Sequence, residues 1–185
     1  MKLINISKNY GDKKVLQNIN LSFDKNECVA IVGQSGIGKT TLLNIIAGLV
    51  SYQGEIYGNE RISYMMQEDV FIENLSVLDN LRLFTKKSKN NILEFLSALN
   101  LQNIANEFPD KLSGGMRRRI SFLRALHFDA DILLLDEPFK SLDMETKAQC
   151  VKYLKSFLQT NPRLCIVVTH DPIELAPLHP RIVNM

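Results

Sequence analysis

The sequence predicts an α/β fold in which a mainly parallel sheet is covered by helices on both faces. Three short and continuously apolar runs carry this prediction: Val29–Val32, Ile132–Leu135 and Leu164–Thr169. Runs of this kind are typical of strands that are buried on both faces. Segments with helical spacing alternate with them along the chain, which is the pattern of a helix-covered parallel sheet.

The remaining elements follow from hydrophobic periodicity and turn residues. Further short strands are predicted at Leu3–Ser7, Val15–Phe23, Gly54–Tyr57, Ile62–Met66 and, at an edge, Arg181–Asn184. Helices are predicted at Thr41–Leu49, Met116–His127 and Leu142–Gln159. From about Val77 to Phe108 the spacing is helical and shows no strand signal, which predicts a small helical lobe.

Length and composition indicate one domain over residues 1–185, because 45% of the residues are apolar and 23% are charged. The net charge of +2 lacks the basic excess of nucleic-acid-binding proteins. The three cysteines have no metal-ligand spacing, so we expect reduced core thiols. No apolar run reaches about 18 residues, so any membrane association is expected through a partner.

A glycine-rich loop joins the strand at Val29–Val32 to the helix that follows it. Its residues are Gly33, Gln34, Ser35, Gly36, Ile37, Gly38, Lys39, Thr40 and Thr41. The spacing is that of a phosphate-binding P-loop in its required strand–loop–helix context. Backbone N–H groups and the helix N-terminus face phosphate oxygens, Lys39 adds a positive charge, and Thr40 offers a hydroxyl to Mg²⁺.

Two adjacent carboxylates end the next buried strand. Asp136 follows Ile132–Leu135 directly, and ligands bind at the carboxyl ends of such strands, so we expect Asp136 to hold Mg²⁺. Glu137 is the next residue, and a second carboxylate there is costly because like charges repel. Its predicted role is that of a general base or orienter for an attacking water.

The remaining motifs resemble those of ABC transporter ATP-binding subunits over essentially the whole chain. Leu112-Ser113-Gly114-Gly115-Met116 resembles the signature sequence, Asp136-Glu137-Pro138 the second acidic motif, and Ser141-Leu142-Asp143 the D-loop. Gln67, His170 and Tyr10 match the Q-loop glutamine, the switch histidine and the aromatic residue that stacks on adenine. Each of these last three is a weak signal alone, but the set is specific in this order.

The resemblance implies a P-loop NTPase with a shortened antiparallel β subdomain and a helical subdomain at about residues 77–127. It implies a pair of ATP-binding subunits, a homodimer or two paired chains, in which Mg-ATP lies between the P-loop of one and Ser113, Gly114 and Gly115 of the other. Asp143 would reach across the pair. Gln67 would join the metal site to the membrane subunit, and His170 would contact the γ-phosphate.

The same resemblance implies ATP hydrolysis that powers transport at the cytoplasmic side of a membrane, through transmembrane permease subunits and in some systems a solute-binding protein. The motifs around Gln67 and Asp136 look like those of nitrate, sulfonate and taurine importers, with other importers and small export or lipoprotein-release systems left open. The chain departs from the family at Met116, where glutamine is usual, and we expect activity to survive this change.

Three other functions share parts of this pattern. A small-molecule kinase shares the P-loop but does not need Ser113-Gly114-Gly115. A relative that acts on DNA or ribosomes is suggested only by Arg117-Arg118-Arg119, which we interpret as mostly solvated because three successive residues spread around a helix. A module that binds ATP without hydrolysis is disfavoured because Lys39, Asp136, Glu137 and His170 are all present.

Overall fold

The structure is a computed structural model that describes residues 1–58 and 60–185. Its strands are β1 (Lys2–Tyr10), β2 (Lys13–Ser22), β3 (Cys28–Val32), β4 (Gln53–Tyr57), β5 (Ile62–Met65), β6 (Ile132–Asp136), β7 (Leu164–Val168) and β8 (Arg181–Asn184). Its α-helices are α1 (Lys39–Ile46), α2 (Val77–Thr85), α3 (Lys89–Ala98), α4 (Gly114–His127) and α5 (Met144–Thr160). Short 3₁₀ segments occupy Gln102–Ile104, Pro109–Lys111 and Pro172–Leu178.

Five strands form the predicted parallel sheet, in the order β5-β6-β7-β3-β8. Strand β8 lies at one edge, as predicted. Because the strands are parallel, β3, β6 and β7 end at the same edge of the sheet, where Asp136 pairs in register with Val168. The P-loop, the Asp136–Glu137 pair and His170 therefore lie at the same edge of the sheet, although they are far apart in sequence.

The two faces of this sheet contribute to different hydrophobic clusters. On β6, Leu133 and Leu135 belong to the cluster that contains buried residues of α2, α3, α4 and α5. Ile132 and Leu134 alternate with them along the strand and belong to the other cluster, together with residues of β1, β2 and α1. Each continuous apolar strand thus buries alternate side chains on opposite faces, which explains why its sequence shows no polar alternation.

A second, antiparallel sheet of three strands has the order β2-β1-β4. Both β1 and β2 extend beyond the predicted limits at one or both ends, and their pairing carries register shifts. Asn5 and Asn18 adopt positive φ angles of 53° and 51° within these strands. Asparagine tolerates the left-handed region better than most residues, so it fits these irregular positions.

Helix boundaries differ from the predictions for identifiable reasons. Helix α1 ends at Ile46 rather than Leu49, because Gly48 has a φ of 70° and the amide of Leu49 donates to the carbonyl of Asn44. Helix α5 begins at Met144 rather than Leu142, because Asp143 is its N-cap. The 3₁₀ segment at Pro172–Leu178 was not predicted.

Ser76 and Ser88 cap the starts of α2 and α3, so the predicted helical stretch is divided into separate helices rather than one. Helices α2, α3 and α4 lie between β5 and β6 in the chain. Among the described residues, no helix combines the length and apolar character needed to cross a membrane.

Candidate functional site

The P-loop adopts a conformation that requires its glycines. Gly36 and Gly38 have φ angles of 78° and 113°, in the region that side-chain-bearing residues rarely adopt. A Cβ atom on Gly38 would lie 2.7 Å from Leu16 Cδ2 and 3.0 Å from a methyl carbon of Val15. Strand β2 therefore packs against this glycine, and a larger residue would force the loop and the strand apart.

Lys39 places its charge inside the loop. Its side chain is 5% exposed, and Nζ donates to the carbonyls of Gly33 at 2.8 Å and Gln34 at 2.9 Å. A buried ammonium needs such acceptors, because desolvation otherwise penalises the charge heavily. The predicted phosphate-binding cation thus lies at the centre of the loop at the N-terminus of α1.

A cleft of about 480 Å³ opens beside the P-loop. It is lined by Tyr10, Lys13, Val15, Ser35, Gly36, Gly38, Lys39, Thr40, Thr41, Gln67, Glu137, Lys140 and His170. The structure therefore brings residues from five separate predicted motifs to one cavity. Lys13, Val15 and Lys140 were missed from sequence, because no motif or periodic pattern marked them.

Asp136 ends strand β6 and is fully buried. Within the described residues, neither of its carboxylate oxygens has a hydrogen-bond partner. Burial raises the pKa of Asp136, while the Thr40 hydroxyl opposes this rise and the charge of Glu137 adds to it. A buried carboxylate with free oxygens beside a hydroxyl matches the hard oxygen ligands of Mg²⁺, so these residues fit the predicted metal.

Glu137 is held between two basic side chains. His170 Nε2 contacts its Oε1 atom, and Lys140 Nζ lies 2.9 Å from Oε2. Burial tends to raise the pKa of Glu137, but Lys140 and His170 together hold it below its ordinary value. Its backbone has a φ of 48°, which is uncommon for a residue other than glycine and is often found at functional sites.

Tyr10 and Gln67 reach the cleft from its sides. The Tyr10 ring is 48% exposed at the end of β1, and Lys8 Nζ lies 4.9 Å from the ring centre. Gln67 is exposed in the segment after β5. Both therefore line the cavity from the positions that the sequence predicted for an adenine contact and a Q-loop.

The signature residues lie outside this cleft. Ser113 caps α4, with its Oγ accepting from the amide of Met116 at 3.3 Å. A Cβ on Gly114 would meet no atom within 4 Å, so the start of α4 is open. Met116 still supplies the capped amide, so the absence of glutamine does not remove the cap.

Asp143 also lies outside the cleft, at the start of α5. Its carboxylate accepts from the Thr146 amide at 2.9 Å and from the Thr146 hydroxyl at 2.7 Å. These bonds to Thr146 lower the pKa of Asp143. In this single chain the residue acts as a helix cap.

The interpretation of the three arginines as mostly solvated was wrong. Arg118 is only 5% exposed, and Arg117 and Arg119 are partly buried and donate to the carbonyls of Pro109 and Leu99. They contact backbone carbonyls around α4, which periodicity alone cannot reveal.

Comparisons with known proteins all indicate the same family. The family described as "ABC transporter" matches residues 16–140. The aliphatic sulfonates import ATP-binding protein SsuB 1 of Rhodococcus jostii is 38% identical, over 99% of this chain and 78% of that protein. The sulfate/thiosulfate import ATP-binding protein CysA of Mannheimia succiniciproducens is 36% identical over the whole chain, which spans 58% of that protein.

A solved structure supports the same relationship. The bacterial ABC transporter cassette MJ0796, a dimer, matches with a TM-score of 0.89 and 31% identity, over 100% of this chain and 93% of that one. A second structure of MJ0796, a dimeric post-hydrolysis state bound to ADP and Pi, matches equally well.

Proposed function

This chain belongs to the ABC transporter family of ATP-binding proteins, and from that premise we propose that it is the ATP-hydrolysing subunit of a membrane importer and works as a pair around Mg-ATP. The observation that carries this proposal is that Lys39, Glu137 and His170 all line one and the same cleft. A P-loop alone would support nucleotide binding, whereas a positioned carboxylate beside it supports hydrolysis.

Binding begins with the phosphates of ATP at the P-loop. Backbone amides and the N-terminus of α1 face the phosphate oxygens, and Lys39 exchanges its carbonyl acceptors for the β- and γ-phosphates. Tyr10 lies at the cleft wall, where its exposed ring can stack on adenine. Mg²⁺ held by Thr40, Asp136 and Gln67 would neutralise phosphate charge.

Hydrolysis depends on Glu137. Its lowered pKa keeps the carboxylate ionised at neutral pH, so it can accept a proton from water or orient that water for in-line attack on the γ-phosphate. His170 contacts the same carboxylate and lines the cleft. It can therefore hold Glu137 in place and hydrogen-bond the departing phosphate.

The second copy completes the site in this proposal. Ser113, Gly114 and Gly115 do not line the cleft of their own chain, and the start of α4 is open. Amides at a helix N-terminus favour an anion, so they suit the γ-phosphate bound to a partner chain. The closed pair would drive permease subunits, placing this protein at the cytoplasmic side of the membrane, with a solute-binding protein delivering the cargo.

The test uses Glu137→Gln, which removes the proton acceptor and keeps the shape of the side chain. With Mg-ATP we expect this variant to bind ATP, to lose turnover, and to form a stable dimer in analytical ultracentrifugation. Lys39→Ala in the same background is the control and should remain monomeric. A Glu137→Gln protein that hydrolyses ATP at the parental rate, or that stays monomeric at saturating Mg-ATP, would overturn the proposal.

A further inference from the structure

Arg118 is a buried cation that the function described above does not use. It lies in α4, five residues after the Ser113 cap, and only 5% of it is exposed. A charged side chain is seldom so deeply buried unless its hydrogen bonds are satisfied. Its hydrogen-bond partners therefore indicate the role of Arg118.

One terminal nitrogen of the guanidinium binds the segment after β5. Nη1 donates to the carbonyl oxygens of Met66 at 3.0 Å and Gln67 at 3.1 Å, and to Asp69 Oδ1 at 3.0 Å. The Asp69 contact is an ion pair whose side chains are 6% and 17% exposed, for Arg118 and Asp69 respectively. Arg118 thus fixes the backbone of the segment that carries Gln67 into the cleft.

The other terminal nitrogen binds the end of β6. Nη2 donates to the carbonyl oxygens of Asp136 and Glu137, the latter at 2.7 Å. Glu137 is the residue whose φ of 48° is uncommon for a side-chain-bearing residue. A backbone in this region persists only where its surroundings hold it, and Arg118 is one of the groups that do so here.

The geometry of arginine makes this a rigid connection. The guanidinium is planar and its two terminal nitrogens are fixed relative to each other, whereas a lysine ammonium is a single point charge on a flexible stem. If the Gln67 segment shifts, the acceptors of Nη1 move. Because the two nitrogens are fixed relative to each other, the hydrogen bonds from Nη2 to Asp136 and Glu137 are then distorted.

We propose that Arg118 is a positioning residue for ATP hydrolysis, which sets the backbone of Glu137 and couples it to the position of the Gln67 segment. The inference rests on the proposed function, because Arg118 acts through Glu137 and does not line the nucleotide cleft.

The first experiment compares Arg118→Gln with Arg117→Gln. Arg117 lies on the same helix but donates to Pro109 and pairs with the exposed Glu73, and no hydrogen bond joins it to the Gln67 backbone or to the end of β6 among the described residues, so it is a matched control. We expect Arg118→Gln to lower kcat roughly 10²-fold, as small displacements of reacting groups do, while the affinity for ATP stays near that of the parent. Arg117→Gln should keep the parental kcat.

A second readout separates positioning from mere stabilisation. ATP-driven dimerisation depends on nucleotide binding and not on the water attack, so the double variant Arg118→Gln/Glu137→Gln should dimerise with Mg-ATP as Glu137→Gln does. A loss of ATP affinity or of dimerisation that matches the loss of kcat would show general damage and would overturn the inference.

Conservative variants keep the test decisive if Arg118→Gln does not fold. Arg118→Lys retains the charge but not the planar fork, so we expect a similar fall in kcat with ATP affinity retained. Asp69→Asn removes one charged partner and leaves the carbonyl contacts, so we expect a smaller fall. Parental kcat in Arg118→Lys would overturn the inference.

Failure of the inference can be distinguished from failure of the proposed function. A parent chain that hydrolyses no ATP, alone or with its membrane partner, overturns the proposed function and this inference with it. An active parent whose kcat is unchanged by the Arg118 substitutions overturns the inference alone.

Discussion

At the scale of single residues, Glu137 is held in place by two neighbouring side chains. His170 and Lys140 contact its two carboxylate oxygens, and these interactions lower its pKa although burial opposes them. Lys140 has a side chain that is 53% exposed, so its ion pair is partly screened by solvent. The carboxylate is therefore held ionised and oriented toward the cleft.

Replacing Lys140 with methionine should move the acid limb of the pH profile. A carboxylate with a lowered pKa stays ionised to lower pH, so removing the ammonium raises the pKa of Glu137 and activity is lost at a higher pH on acidification. The measurement is kcat/KM for ATP against pH, which reports the groups of the free protein.

Lys147→Met is the matched control for this measurement. Lys147 pairs with Glu174 at 3.5 Å and does not line the cleft, so its replacement should leave the acid limb in place. An acid limb that is the same in Lys140→Met and the parent would show that Lys140 does not act on Glu137.

At the scale of elements, α4 connects the signature residues to the core. Ser113 caps its start, Arg118 lies in its second turn, and His127 ends it. His127 Nε2 lies 2.8 Å from the Tyr153 hydroxyl, and its ring stacks on Phe95. Burial, with smaller effects from nearby cations, lowers the pKa of His127 to about 3.

His127 should make the protein less stable in mild acid. The unfolded chain protonates this histidine near its ordinary pKa of 6.5, whereas the folded chain keeps it neutral down to about 3. Its contribution to stability is therefore complete above pH 6.5 and falls as the pH is lowered, by about 2 kcal/mol between pH 7 and pH 5.

The check is urea denaturation at both pH values for the parent and for His127→Gln, which can still hydrogen-bond Tyr153. The variant should lose less stability between the two pH values, whatever its stability at pH 7. Identical losses in the two proteins would contradict the assignment.

At the scale of the whole molecule, nucleotide binding and folding are linked. The cleft is lined by the P-loop, the end of β1 and residues that follow β6 and β7. Strand β1 belongs to the antiparallel sheet and β6 and β7 to the parallel sheet, and all three contribute side chains to the same hydrophobic cluster. A ligand that binds only this assembled form stabilises it, by about 2.7 kcal/mol at a hundred times its Kd.

Mg-ATP should therefore raise the melting temperature, by roughly 5–10 °C for a chain of this size. Lys39→Ala should remove most of this rise, because the loop loses the cation that meets the phosphates. Differential scanning calorimetry of the parent and of Lys39→Ala, with and without Mg-ATP, measures the change in melting temperature. An equal rise in the melting temperature of Lys39→Ala would show that Lys39 does not contribute to ATP binding.

The sequence by itself determined the parallel sheet, the P-loop and the Asp136–Glu137 pair, because each depends on residues that are neighbours along the chain. Continuous apolar runs require burial on both faces, and the glycines of residues 33–38 require a tight loop wherever they occur. Hydrophobic periodicity did not determine the end of α1 or the start of α5, because Gly48 and Asp143 act through backbone geometry and capping.

Only the tertiary structure decided which side chains surround Glu137. Lys140 is close in sequence, but its direction depends on the turn that follows β6. Arg118 contacts residues that are 18 to 52 positions away, so no local pattern could distinguish it from a solvated arginine. Periodicity reports which face of a helix is apolar, whereas the acceptors that satisfy a buried charge are supplied by whichever strands and loops the fold places beside it.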